Sequence, residues 1–303
     1  MSMQGVTVTP KFVFGCNGQI NNSIHMHEEK NLVYVAGHNV IVYNLDEGQQ
    51  VFIPGSEHCD EINFLTISLT GRFIAICEKA QEGRAQVNIW EIQGKRKKKT
   101  LPEPEMENLP IECKEFLSCA FSPTLEKQHL VTLSGEGDWC AILWQWDQLK
   151  MLAKVDLNVV EPNLEELRAF QISLHPVMGL ACVVTGFDCY HYMKLEENFR
   201  AFNVTHTELQ TGRDDISTEY TCHAWAKDQT QLVVATAVGD VLVCNMSGEF
   251  IILVPDSPSM RVEDGLRIDC ITPYSRGLIL AGAEGMIFAF EATSNENQIY
   301  RPQ

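Results

Sequence analysis

Six times along the chain, two short apolar strands run into a residue pair of aromatic-plus-polar type and then a turn. The pairs are Tyr43-Asn44, Trp90-Glu91, Trp146-Asp147, Tyr192-Met193, Cys244-Asn245 and Phe290-Glu291, and they lie 47, 56, 46, 52 and 46 residues apart. Self-similarity at so regular a period marks a repeat architecture, in which each unit buries its apolar faces on the next. The period also bears on function, because repeat folds chiefly present surfaces to partners.

Each repeat has one internal grammar. An entry strand ends in a polar or Pro/Gly turn, as in ISLTGR at 67–72, ISLHPVMG at 172–179 and ITPYSRG at 271–277. A strongly apolar strand follows (FIAIC, HLVTLS, LACVVTG, QLVVATA, LILAGA), then a tight turn and a third strand ending in the pair. Runs of five or six Val/Ile-rich residues between turn signals read as strands buried on both faces. With a less regular fourth strand, such as QQVFIPG, LAKVDL or EFIILVP, each unit is a four-stranded blade of about 40–45 residues. The expected fold is an all-β propeller occupying residues 1–303 as one domain. Six repeats are visible over roughly residues 21–303, so the ring is six-bladed or an incomplete seven, with the leading strand KFVFGC (11–16) expected to close it by joining the last blade. The only helix candidate of note is EPNLEELRAF at 161–170, with Asn163 as its cap.

A formal net charge of −17 argues against nucleic acid and anionic membranes, which call for clustered Lys and Arg, and biases the surface towards basic partners. Hydrophobic content of 45% with 21% charged residues is that of an ordinary globular chain. No segment reaches the roughly 20 apolar residues of a membrane helix, and the first sixteen residues lack signal-peptide features. Eleven cysteines, several within strand-like runs such as RFIAIC and VLVCN and with no C-x-x-C pair, read as reduced core residues of an intracellular protein.

The turn-strand-strand grammar, FSP at 121–123 and the Trp-Glu and Trp-Asp pairs resemble WD40 repeats. A closer match joins FVFG at 12–15, NNSI at 21–24, VFIPGSE at 51–57, GRFIAICE at 71–78, SCAFSP at 118–123 and LWQWDQLKML at 143–152. It continues through HAWAKDQTQLVVATAVGDVLV at 223–243 and YSRGLILAGAEGMIFAFE at 274–291. Together these resemble the N-terminal propeller of the cilia- and flagella-associated protein 57 family. The resemblance implies a non-catalytic WD40 scaffold of the ciliary axoneme, partnered by inner dynein arm and doublet microtubule components. The alternatives are a generic intracellular WD40 adaptor or a propeller enzyme with clustered carboxylates or histidines at its axial channel. Family members carry two propellers followed by coiled coil. This chain has no heptad segment, and the resemblance implies a portion of such a longer protein.

Several motifs carry candidate chemistry. The run Lys95-Arg96-Lys97-Lys98-Lys99 is the largest charge anomaly in an acidic chain. It suits contact with an acidic partner, such as tubulin tails in an axoneme, while short basic stretches also serve as import signals. The bland alternative is a solvated loop neutralised by Glu103, Glu105 and Glu107. Trp90 ends an apolar strand and is expected to pack between blades. Trp144 and Trp146 share one face, whereas Trp139 points to the other. Trp139 and Trp225 are therefore the candidate surface anchors, Trp being enriched at binding centres. His25 and His27 share a strand face, as do Cys189 and His191, but a zinc site needs three or four ligands together. With no G-x-S-x-G elbow, protease cysteine signature or phosphate-binding loop, no residue is named as catalytic and no cofactor is expected.

Overall fold

The computed structural model describes residues 11–303 except 22, 82–83, 103–110, 124–127, 158, 160–169, 179, 198–201, 256 and 262–264. Six antiparallel sheets of four strands follow one another, each made of consecutive strands in sequence order. Blade 1 contains β1 (Ile24–His27), β2 (Asn31–Ala36), β3 (Asn39–Asn44) and β4 (Gln49–Pro54). Blade 2 contains β5 (Cys59–Ile67), β6 (Phe73–Ala80), β7 (Gln86–Glu91) and β8 (Arg96–Leu101). Blade 3 contains β9 (Phe116–Phe121), β10 (His129–Ser134), β11 (Cys140–Gln145) and β12 (Lys150–Asp156). Blade 4 contains β13 (Gln171–Leu174), β14 (Ala181–Gly186), β15 (Cys189–Glu197) and β16 (Phe202–Thr207). Blade 5 contains β17 (Tyr220–Trp225), β18 (Leu232–Thr236), β19 (Val241–Cys244) and β20 (Phe250–Leu253). Blade 6 contains β21 (Ile268–Tyr274), β22 (Gly277–Gly282), β23 (Ile287–Ala292) and β24 (Tyr300–Pro302).

The repeat grammar maps directly onto these sheets. The apolar second strands β10, β14 and β18 are buried at every residue, because a neighbouring blade covers each face. First strands approach one another near the axis, β5 against β9, β9 against β13 and β17 against β21. The turns are chosen for the same packing. Gly239, between β18 and β19, has φ +92°, and a Cβ there would lie 2.7 Å from the carbonyl oxygen of Leu266. The turn can approach the connection into blade 6 only without a side chain.

Five apolar cores hold consecutive blades together. Val33, Val35, Ile74 and Ile76 contribute to the first, between blades 1 and 2, with half-buried Trp90 packed against it. Trp144 and Trp146 fill the second, between blades 2 and 3, where Trp146 lies edge-on to Phe73 and Phe121. Trp139, Leu143, Val184 and Met193 contribute to the third. Tyr190, Tyr192 and Leu242 contribute to the fourth, and Val243, Leu280 and Phe290 to the fifth. Nine of the eleven cysteines are buried and none is disulfide-bonded.

The seam between blades 4 and 5 also carries a buried polar network. His223 is 2% exposed and its ring nitrogens meet Ser173 Oγ and Thr185 Oγ1, each at 2.7 Å. Its backbone N–H donates to Gln171 Oε1 at 3.0 Å, and Gln171 Nε2 donates back to the His223 carbonyl at 3.2 Å. Burial pushes the His223 imidazole down to about 3, so it is neutral at physiological pH.

Two expectations are corrected or moved aside. The leading segment 11–16 forms no strand and does not join the last blade, whose four strands all come from residues 268–302. It lies against blade 1 instead. The Val13 N–H donates to Gln50 Oε1 at 2.8 Å, Gln50 Nε2 donates to the Val13 carbonyl at 3.0 Å, and Phe12 sits edge-on to Tyr43. The helix expected at 161–170 lies outside the described residues, apart from Phe170.

Candidate partner-binding surfaces

The basic run is a strand rather than a loop. Arg96–Leu101 is β8, the outer edge of blade 2, paired with β7 through Arg96↔Glu91 and Lys99↔Ile89. Lys95 occupies the preceding turn in the left-handed region, with φ +48°. Glu103, Glu105 and Glu107, expected to neutralise the run, lie outside the described residues. The carboxylate that organises this edge is Glu91. Arg72 holds its Oε1 through Nε at 2.9 Å and Nη2 at 2.7 Å, while Arg96 Nε at 2.7 Å and Lys98 Nζ at 3.5 Å reach Oε2. Among these cations the Glu91 side chain is left only 10% exposed. Hydrogen bonds from Arg72, and then Arg96, hold its carboxyl down to about 2.

The result is three cations, Arg72, Arg96 and Lys98, on one carboxylate, with Lys95, Lys97 and Lys99 beside them in the run. Lys95 and Lys97 are exposed and Lys99 is half-buried. None of the three makes a salt bridge among the described residues. Lysines on an outer strand also guard its unpaired backbone groups against edge-to-edge association. Both uses require what the structure shows, a row of cations held at a sheet edge.

Of the two tryptophans expected at the surface, Trp139 is buried and Trp225 is half-buried at a blade seam. Trp139 is 8% exposed and packs on Phe170 at 5.1 Å within the core between blades 3 and 4. Trp225 donates from Nε1 to Ser173 Oγ at 3.0 Å, and its ring lies 4.8 Å from that of His175 across the seam of blades 4 and 5. Strand parity placed Trp139 on the face opposite Trp144 correctly. The covering blade removes it from solvent, which parity alone cannot reveal.

The chemistry-bearing residues remain dispersed. His25 and His27 both lie on β1, where His25 Nε2 meets the Leu65 carbonyl at 3.1 Å and His27 is buried. Cys189 and His191 lie on β15 in blade 4, and burial raises the Cys189 thiol to about 12. Among the described residues, no group of three or more His, Cys, Asp or Glu could hold a metal ion. A cleft of about 210 Å³ at blade 2 is lined by Ser56, His58, Cys59, Glu78, Lys79 and Arg84. Its Cys59 thiol is pushed up to about 12, first by burial and then by Glu78, and Glu78 itself accepts from the Ser56 N–H at 3.1 Å. A thiol so raised is no thiolate nucleophile near neutrality.

No family model matches the chain. Cilia- and flagella-associated protein 57 C of Tetrahymena thermophila is 23% identical over 95% of this chain. Cilia- and flagella-associated protein 57 of Mus musculus is 26% identical over 86% of it, and protein 57 A of Tetrahymena thermophila 23% identical over 93%. The chain spans 20–25% of the length of these relatives. Among solved structures, a chain of the mitotic checkpoint complex superimposes with a TM-score of 0.64 at 12% identity, covering 100% of this chain and 86% of that one. The Cps50 (Swd1) β-propeller domain of Myceliophteria thermophila gives 0.56 at 14% identity, over 79% of this chain and 67% of that domain. These structures share the fold, while the sequence match runs through nearly every blade. The chain is a six-bladed WD40-like propeller related to the cilia- and flagella-associated protein 57 family.

Proposed function

We propose that the chain is a non-catalytic scaffold module of the cilium or flagellum, holding protein partners on the rigid edges and loops of its blades. The observation that carries this reading is the match to three cilia- and flagella-associated proteins over 86–95% of the chain. The raised Cys59 thiol of the blade 2 cleft is no nucleophile near neutrality, which fits a binding role for that cleft. The finer reading, implied by the family resemblance, is an axonemal scaffold for docking or regulating inner dynein arms on doublet microtubules. On this reading β8, with Lys95 beside it, meets an acidic partner segment, and the exposed Lys97 makes the first contact. Charge at such a rim acts mainly through on-rate and register, so binding should weaken with salt.

Salt-washed, demembranated axonemes from the protein's own organism test this, with an immunoblot for the chain. Retention with the doublets supports the assignment, and confinement to the soluble cell body overturns it. Reversing Lys95, Lys97 and Lys99 to Glu should release the protein at lower salt. Retention unchanged by that triple substitution would remove β8 from the binding surface.

A further inference from the structure

Four carboxylates are buried among the described residues, those of Glu78, Glu91, Glu115 and Asp240. A carboxylate taken out of water is ordinarily matched by a cation. Glu91 holds Arg72, Arg96 and Lys98, and Lys79 Nζ stands 3.7 Å from Glu115 Oε2. Glu78, the most buried of the four at 2% exposure, makes no salt bridge among the described residues. Both of its oxygens are held by one neutral residue. Ser56 donates to Oε1 through its N–H at 3.1 Å and to Oε2 through its hydroxyl at 2.5 Å. Each oxygen keeps a lone pair beyond these bonds.

Of the four, Glu78 alone lines the blade 2 cleft. That cleft lies where the connection from β4 to β5 meets the end of β6 and the start of β7. Its volume of about 210 Å³ is below the roughly 300–1,000 Å³ of small-molecule pockets, so it suits a single side chain. Lys79, in its lining, is engaged by Glu115, whereas Arg84 is exposed and makes no salt bridge among the described residues. Beside the lining residues in sequence, Glu57, Asp60 and Glu61 are exposed. After burial, the fields of Glu78, Asp60 and Glu61 add to the raising of the Cys59 thiol, which marks a negative potential in the cleft. An anion would gain Arg84 but would meet a carboxylate that Ser56 fixes in place. A cation gains the match that Glu78 lacks, and the exposed Arg84 is free to turn into water.

We propose that the blade 2 cleft takes one cationic side chain, arginine before lysine, from a basic segment of a partner protein, with Glu78 as its counter-charge. A planar guanidinium can meet both carboxylate oxygens at once, which an ammonium cannot. The net charge of −17 draws such a segment towards the chain. The proposal rests on the binding role of the cleft and not on the ciliary assignment, so a protein missing from axonemes would still bind the probe described next.

The probe is a short Gly/Ser peptide with a single arginine, titrated into the full chain while the amide NMR signals of Ser56 and Ala80 are followed. The same peptide with citrulline, a neutral isostere, is the control. Saturable shifts are expected with arginine, and binding at least about tenfold weaker with citrulline or in Glu78→Gln. Arg84→Gln, at an exposed site, removes a like charge from the cleft and should tighten binding severalfold. It also decides the matter should Glu78→Gln fail to fold, because weaker binding in Arg84→Gln would refute the proposal. The same holds for no saturable shift, for equal binding of the arginine and citrulline peptides, or for a folded Glu78→Gln that binds like the wild type. Inorganic phosphate shifting these amides in a manner that needs Arg84 would overturn it as well, and make the cleft an anion site.

Discussion

The buried imidazole of His223 links the seam between blades 4 and 5 to pH. In the folded protein it stays neutral down to about 3, because burial disfavours the charged ring. In the unfolded chain it takes up a proton near its ordinary value of 6.5. The unfolded state thus binds more protons between those values, and folding stability falls as pH falls through that window. Above 6.5 both states are neutral and the group contributes no pH dependence. Integrated from pH 7.5 to 5.0, this one residue should cost about 2 kcal/mol. Urea denaturation of the wild type and His223→Gln at both pH values isolates the effect, since all other titrating groups are shared. The variant starts less stable, through disturbed bonds to Ser173 and Thr185, but should lose about 2 kcal/mol less on acidification. Equal losses in the two proteins would refute the argument, and would mean that His223 is hydrated or charged in the fold.

Other outcomes follow from single contacts. Trp144→Ala removes a fully buried indole and its 3.0 Å bond to Thr132, and should cost about 3–5 kcal/mol in denaturant titrations. Gly239→Ala places a Cβ 2.7 Å from the Leu266 carbonyl at φ +92°, and should destabilise by more than about 1 kcal/mol, read as a lower melting temperature. Glu91 should titrate near pH 2 by carboxyl NMR. Arg72→Gln should raise that midpoint, and its stabilising contribution persists above the ordinary carboxyl range and fades as pH falls through about 2.

The blades were legible because their signal is local. FIAIC, HLVTLS and QLVVATA carry apolar runs bounded by turn residues, and β6, β10 and β18 fall on them. The tertiary surroundings of those strands were not legible. LILAG in β22 reads like LVVAT in β18, yet Ile279 is 38% exposed while every residue of β18 is buried. The difference lies in whether a blade covers the second face, which the strand's own residues do not encode. For the same reason Trp139 and Trp225 suggested surface anchors, because Phe170 and Ser173, which receive them, are about 30 and 50 residues away in sequence. The basic run concealed a strand, since five consecutive cations break the alternation that reveals a half-buried one. Its partner Glu91 was in view as half of a repeat pair, but the convergence of Arg72 on it required the β6–β7 register.

Among the described residues blades 6 and 1 share no apolar core, so the molecule should behave thermodynamically as a line with two ends rather than as a circle. In a nearest-neighbour chain of repeats, an interior unit must break two interfaces to unfold and an end unit only one. Blades 1 and 6 should therefore fray before blades 3 and 4, with faster amide exchange in β2 and β22 than in β10 and β14. A ligand that bridged the ends would turn the line into a loop and bring every blade to the same footing.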